Sequence, residues 1–155
     1  MDDVSESRLA LVHPELSRRV HQLFDILSFP LCVTQGLRTY PQQSELYAQG
    51  RTKSGDIVTK ADAGHSMHNF GLAVDVAPFI DGKVDWNGKD EKWAEILAEA
   101  PSCRLAEGAL WRTFPDEPHL YPAEVPANPD DNIRYLFAEG GLQAVWRELL
   151  PQYPF

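Results

Sequence analysis

Three residues in this chain have the types and spacing to hold a metal ion: His68, Asp75 and, well downstream, His119. Two histidines and one carboxylate can bind zinc as three protein ligands and leave a fourth position for water, which is the arrangement of a catalytic rather than a structural site. The first two belong to a segment from Gly64 to Val76 whose core reads Ser66-x-His68-x-x-Gly71-x-Ala73-x-Asp75. The third closes the run Asp116-Glu117-Pro118-His119. An acid held near a zinc-ligating histidine can take a proton from water and later return it to a leaving amine. Asp116 and Glu117 both qualify, and spacing alone leaves the role open between them. Pro118 pushes Glu117 into an extended conformation and stiffens the approach to His119.

The elements that must position these residues are legible around them. From Leu72 the pattern alternates: Leu72, Val74 and Val76 fall on one face of a strand, and Ala73, Asp75 and Ala77 on the other. Gly71 permits the turn that brings His68 back toward Asp75. Leu31-Cys32-Val33-Thr34 reads as a second strand that delivers Gln35-Gly36-Leu37-Arg38 to the site. The planar fork of Arg38 suits a carboxylate or a peptide carbonyl. Residues 41–49 form a short helix closed by Gly50, with Gln43 able to reach the cleft from its first turn. Ser66 lacks a Gly-x-Ser-x-Gly nucleophile context and is assigned a hydrogen-bonding role toward substrate or the metal loop. His65 is set aside, because adjacent residues rarely converge on one ion. Residues 51–64 read as a loop bordering the cleft, with a short strand at 57–59.

Elsewhere, Leu16, Val20, Leu23, Phe24 and Leu27 recur at helical spacing after Pro14, with His13 and His21 expected to be solvated. Asp81-Gly82 signals a hairpin and Asn87-Gly88 a turn. A helix over 89–100 carries Trp93, Ile96, Leu97 and Ala100 on one stripe and ends at Pro101. Trp111 and Phe114 lead into the acid-histidine run. Pro122, Pro126 and Pro129 break up the loop after it, and Gly140-Gly141 interrupts a helical tail. The expected architecture is α+β: a small single domain over 1–155, with a short antiparallel sheet bearing the zinc site and helices packed on its other face. Neither an internal repeat nor a separate second domain is visible.

A chain of 155 residues fits one domain, and 43% hydrophobic with 24% charged residues is ordinary for a globular protein. No apolar run approaches the ~20 residues of a membrane helix, so membrane insertion is not expected. The acidic, polar start, Met1 to Glu6, carries no secretory signal, which implies a protein cytoplasmic as made. A net charge of −9 argues against nucleic acid as a partner and provides no pull toward anionic envelopes. Cys32 and Cys103 are expected to be two buried thiols.

The two motifs resemble the zinc peptidases of the D-alanyl-D-alanine carboxypeptidase and L-alanyl-D-glutamate endopeptidase group, which includes phage endolysins. Gly36-Leu37-Arg38-Thr39-Tyr40, with Gln43, Leu46-Tyr47 and Gly50-Arg51 after it, is similar to the group's upstream segment. The resemblance thus runs in three ordered blocks from about Gln35 to His119. It implies Zn2+ on His68, Asp75 and His119 and a catalytic acid three residues before the last histidine, hence Asp116. The form Asp-x-Pro-His is similar to the endopeptidase branch. The implied substrate is the peptide stem of peptidoglycan, at the L-alanyl-D-glutamate bond, gripped by Arg38 with Ser66 and Gln43. The implied setting is a monomer acting on the cell wall after release, through a holin in a phage. One stretch departs: Glu107-Gly108-Ala109-Leu110-Trp111 stands where that branch has a tryptophan, two glycines and an acid before a further tryptophan. A D-alanyl-D-alanine carboxypeptidase or dipeptidase is the neighbouring alternative, and a catalytically silent wall-binding module another. A structural zinc domain would close the shell with four protein ligands and use more cysteine.

Overall fold

The computed structural model describes residues 1–87, 91–108 and 118–154. Among them run five strands, β1 (Leu31–Gln35), β2 (Val74–Ile80), β3 (Lys83–Val84), β4 (Leu105–Glu107) and β5 (His119–Pro122). The helices are α1 (Asp3–Leu9), α2 (Pro14–Ile26), α3 (Tyr40–Ala48), α4 (Glu91–Glu99) and α5 (Asp131–Leu149). The strands pair antiparallel in the order β1-β2-β5-β4, and β3 returns on β2 through the Asp81-Gly82 hairpin. This is the α+β domain expected from the sequence. No helix among the described residues is long and apolar enough to cross a membrane.

Two apolar clusters hold the sheet. Val33, Val74, Val76, Leu105 and Leu120 meet Leu16, Val20 and Leu23 of α2 and Trp93 and Ile96 of α4 in one of them. The second joins Met67, Phe70, Ala73 and Tyr121 to Ile133 and Val145 of α5. Alternation along β5 explains the division, since Leu120 enters the first cluster and Tyr121 the second. The sheet is therefore covered on both sides, with α5 packed on the side toward which Ala73 points. The tail covers the sheet, but on a side that helical periodicity by itself could not assign.

Several local expectations change. Residues 57–59 form no strand: the Thr59 carbonyl accepts from Arg51 (3.0 Å), and Ile57 and Val58 stay about half exposed (50% and 47%). His13 is buried rather than solvated. With Pro14 at the first helical position, His13 becomes the N-cap of α2, its Nδ1 accepts from the Glu15 amide (3.0 Å), and its ring lies edge-on to Trp146. His21 is partly exposed and bonds to the Ser17 carbonyl and to Glu6. Helices α1 and strand β4 were not visible as patterns, being short and of mixed polarity. Asn87 caps back onto Asp85 (2.9 Å), while Gly88 and the start of the 89–100 helix fall outside the described residues. Cys32 and Cys103 are free and buried.

Two buried charged groups have opposite fates. Arg19 is fully buried, yet its guanidinium bonds to Glu15 (2.8 Å), to both oxygens of Glu124 (2.6 and 2.9 Å) and to the Arg104 carbonyl (2.8 Å), which ties α2 to the turn after β5. Glu107 is also buried, but among the described residues its Oε1 has no hydrogen-bond partner, and burial pushes its carboxyl up. A carboxyl raised in the folded state carries no penalty at pH values below its unfolded pKa. It destabilises increasingly as pH climbs from there toward the folded value. Glu107→Leu is therefore expected to raise stability by about 1–3 kcal/mol at neutral pH. Denaturant unfolding at about pH 4 and pH 7 checks this; a gain that is not larger at the higher pH would contradict it.

Candidate metal centre

Strand pairing places two of the three expected ligands together. Asp75 on β2 stands directly opposite His119 on β5. Residues opposed across an antiparallel ladder put their side chains on one face, with Cβ atoms about 5 Å apart. On its other side Asp75 pairs with Gln35, where β1 shifts register after Val33. That irregularity turns the chain out of the sheet just before Gly36-Leu37-Arg38.

His68 arrives from a different element, a one-turn 3-10 helix over Met67–Phe70. Ser66 caps it, its Oγ accepting from the His68 amide (3.4 Å). Gly71 ends it in the left-handed region, with φ at 64°. A Cβ there would also sit 3.1 Å from the Trp146 ring, so both conformation and space require glycine. The chain reverses at Gly71 and enters β2, which brings His68 over Asp75 as expected.

The candidate ligand atoms converge. His68 Nε2 is 3.0 Å from Asp75 Oδ1 and 3.1 Å from His119 Nδ1, and His119 Nδ1 is 3.3 Å from Asp75 Oδ1. Bonds of 2.0–2.1 Å to a tetrahedral zinc imply about 3.3 Å between neighbouring ligand atoms. The triad therefore has the dimensions to hold such an ion on one face. His68 Nδ1 lies 2.8 Å from the Gly36 carbonyl, which can only accept, so Nδ1 carries a proton and, in the neutral tautomer, the Nε2 lone pair faces the centre. Imidazole nitrogens and a carboxylate oxygen form a donor set suited to zinc.

Electrostatics agree with a cation site. Burial, the largest single influence on Asp75, pushes its carboxyl up, but the His68 and His119 rings beside it, when they carry positive charge, outweigh it and hold Asp75 well below the usual carboxylate range; with neutral rings, a bound cation would supply that charge. Arg38 Nη2 lies 3.6 Å from Asp75 Oδ2. His68 and His119 are both buried, so the pair meets its ligand out of bulk water.

The remaining expected residues divide. Arg38 stands beside Asp75, and Gln43 is fully buried. Its Oε1 accepts from Arg38 Nη1 (2.9 Å) and its Nε2 donates to the Ala61 carbonyl (2.7 Å). The reason lies in the capping box of α3, where Thr39 and Gln42 exchange bonds and fix the first turn so that Gln43 points inward. Ser66 is half-buried and caps the loop that carries His68. His65 is exposed and bonds locally to the Ala63 carbonyl (3.0 Å), apart from the triad. Asp116, Glu117, Trp111 and Phe114 lie outside the described residues.

Asn69 was missed. It is buried, accepts from the Gly64 amide (3.0 Å) and donates to the Arg38 carbonyl (2.9 Å), while the Arg38 amide donates to the His68 carbonyl (3.0 Å). The loop bearing His68 and the segment bearing Arg38 are thus laced together. The available signal was an asparagine between the motif's histidine and glycine, a residue type that bonds to nearby backbone in turns.

Fold and triad together define a small α+β domain with a candidate mononuclear metal centre. The same fold occurs in the Serratia marcescens L-Ala D-Glu endopeptidase ChiX, with a TM-score of 0.58 and 24% identity over 79% of this chain and 88% of that one. The chain belongs to the phage L-alanyl-D-glutamate peptidase family, whose sequence model matches residues 1–104. The L-alanyl-D-glutamate peptidase of Escherichia phage T5 is 32% identical over 117 residues, 72% of this chain and 81% of the relative. The peptidoglycan L-alanyl-D-glutamate endopeptidase CwlK of Bacillus subtilis is 43% identical over 97 residues, 57% of this chain. That match spans 58% of CwlK's own length.

Proposed function

We propose that this protein is a zinc metallopeptidase that hydrolyses the peptide stem of peptidoglycan at the L-alanyl-D-glutamate bond. The observation that carries the reading is the convergence of His68, Asp75 and His119 in a chain of this family. These three side chains would hold the zinc, and a bound zinc supplies Lewis-acid polarisation of the scissile carbonyl and an acidified water. The chain's own residues do the rest. The Gly36 carbonyl keeps His68 in the ligating tautomer, and Gln43 keeps Arg38 beside Asp75. From there the guanidinium can hold a substrate carboxylate or carbonyl, with Ser66 at the rim. Asp116 takes the proton of the attacking water and returns it to the leaving amine. The substrate lies in the cell wall, and a holin would provide the route to it.

Mass spectrometry of purified muropeptides, digested with and without a chelator, tests the proposal. The expected products are a stem remnant ending in L-alanine and a peptide beginning with D-glutamate, both absent when the chelator is present. Release of terminal D-alanine alone would replace this reading with a carboxypeptidase. Products unaffected by chelation would remove the metal from it.

A further inference from the structure

We propose that the C-terminal helix α5 positions the metal ligand His68, through Trp146 and Arg134. The inference rests on His68 being a ligand, and it concerns a helix beyond the residues matched by the family's sequence model. The 3-10 loop that carries His68 has internal bonds that set its shape, including Asn69 amide to Ser66 carbonyl (3.0 Å) and Leu72 amide to Met67 carbonyl (3.1 Å). Shape alone does not say where the loop sits above β2. That is decided by bonds from outside it.

Two of these come from α5. Trp146 Nε1 donates to the Phe70 carbonyl (2.7 Å), and the Trp146 ring fills the space against Gly71. Arg134 Nη1 donates to the Gly64 carbonyl (3.3 Å) at the other end of the segment. His68 lies between these anchor points in the chain. The N-terminal side of α2 closes the frame, with the His13 amide on the Gly71 carbonyl (2.9 Å) and the His13 ring edge-on to Trp146.

The helix is bent between its two anchors. Gly141 has φ 64° and ψ −158°, a conformation open essentially to glycine alone, and Arg134 precedes it while Trp146 follows. A Cβ at Gly141 would meet nothing within 4 Å, so alanine there changes the backbone preference and no contact. The bend sets the direction from which Trp146 reaches the loop. Outer groups that orient a ligating histidine typically alter metal affinity about 10–100-fold when removed.

The test uses the full chain, with Zn(II) and Co(II) as probes. Trp146→Phe keeps an aromatic ring and loses the donor; it is expected to weaken both metals about tenfold and to shift the visible absorption of the Co(II) form. Gly141→Ala should do the same in kind. Val145→Ala, a buried neighbour on the same helix, is expected to lower the melting temperature while leaving affinity and the Co(II) spectrum unchanged. Should Trp146→Phe fail to fold, Arg134→Gln is read by the same two measurements. Wild-type affinity and spectrum in the Trp146 or Arg134 variants overturn the inference, as does an equal loss in Val145→Ala. Failure of the wild type to bind either metal would instead remove the metal-site reading, and this inference with it.

Discussion

Asp75→Asn is expected to abolish stoichiometric metal binding and stem hydrolysis together. Oδ1 of Asp75 faces both candidate ligating nitrogens and Oδ2 faces Arg38, so among the described residues this carboxylate is the anionic group joining the centre to the cationic side chain behind it. Asparagine keeps the shape and removes the charge. Two neutral imidazoles beside a guanidinium then make a site that repels a dication. The loss in affinity should exceed the roughly 10–100-fold seen when outer groups around a metal are removed. Chelator competition measures it directly. Thermal unfolding provides an independent readout, because a ligand that binds only the folded state raises the melting temperature. The metal-dependent rise should vanish in the variant. A variant that still binds zinc near wild-type strength would show that Asp75 is not a ligand. His119→Ala should behave alike, since its nitrogen shares the same oxygen.

The second large effect separates chemistry from metal binding. Asp116→Ala is expected to keep the metal and lower kcat by about 10²–10⁴, the usual contribution of a positioned general acid or base. Glu117→Ala should have little effect on kcat. Metal content of the purified variants and kcat on a soluble stem peptide decide the matter. If Glu117→Ala loses turnover while Asp116→Ala keeps it, the proton-transfer role moves by one residue. Loss of metal in Asp116→Ala would make that residue part of the metal's support instead.

The architecture was partly readable because its signals are local. Alternation of Val74 and Val76 about Asp75, helical spacing after Pro14, the short helix closed by Gly50 and the Asp81-Gly82 turn depend on residues a few positions apart, whereas Leu72, read onto the face of Val74, precedes β2 and enters the other cluster, and Ala77 joins the valines. Burial of His13 was not readable, because the group it packs against is Trp146 at the far end of the chain. The place of Gln43 in the first turn of its helix is a local feature, yet its burial depends on Arg38 and on the carbonyl of Ala61 across a loop. Residues 57–59 form no strand because, among the described residues, no strand pairs with their backbone.

By itself the sequence determined the chemistry available: two histidines and an aspartate as a donor set, a glycine that allows the reversal between His68 and Asp75, and an arginine carried just beyond the end of β1. The tertiary structure alone decided that these groups share one point, because the register setting Asp75 against His119 joins residues far apart in the chain. It also decided which groups steady them, from the Gly36 carbonyl on His68 to Trp146 on the loop behind it. Donor identity is a property of side chains and can be read one residue at a time, whereas convergence depends on long-range pairing and packing, which no local pattern encodes.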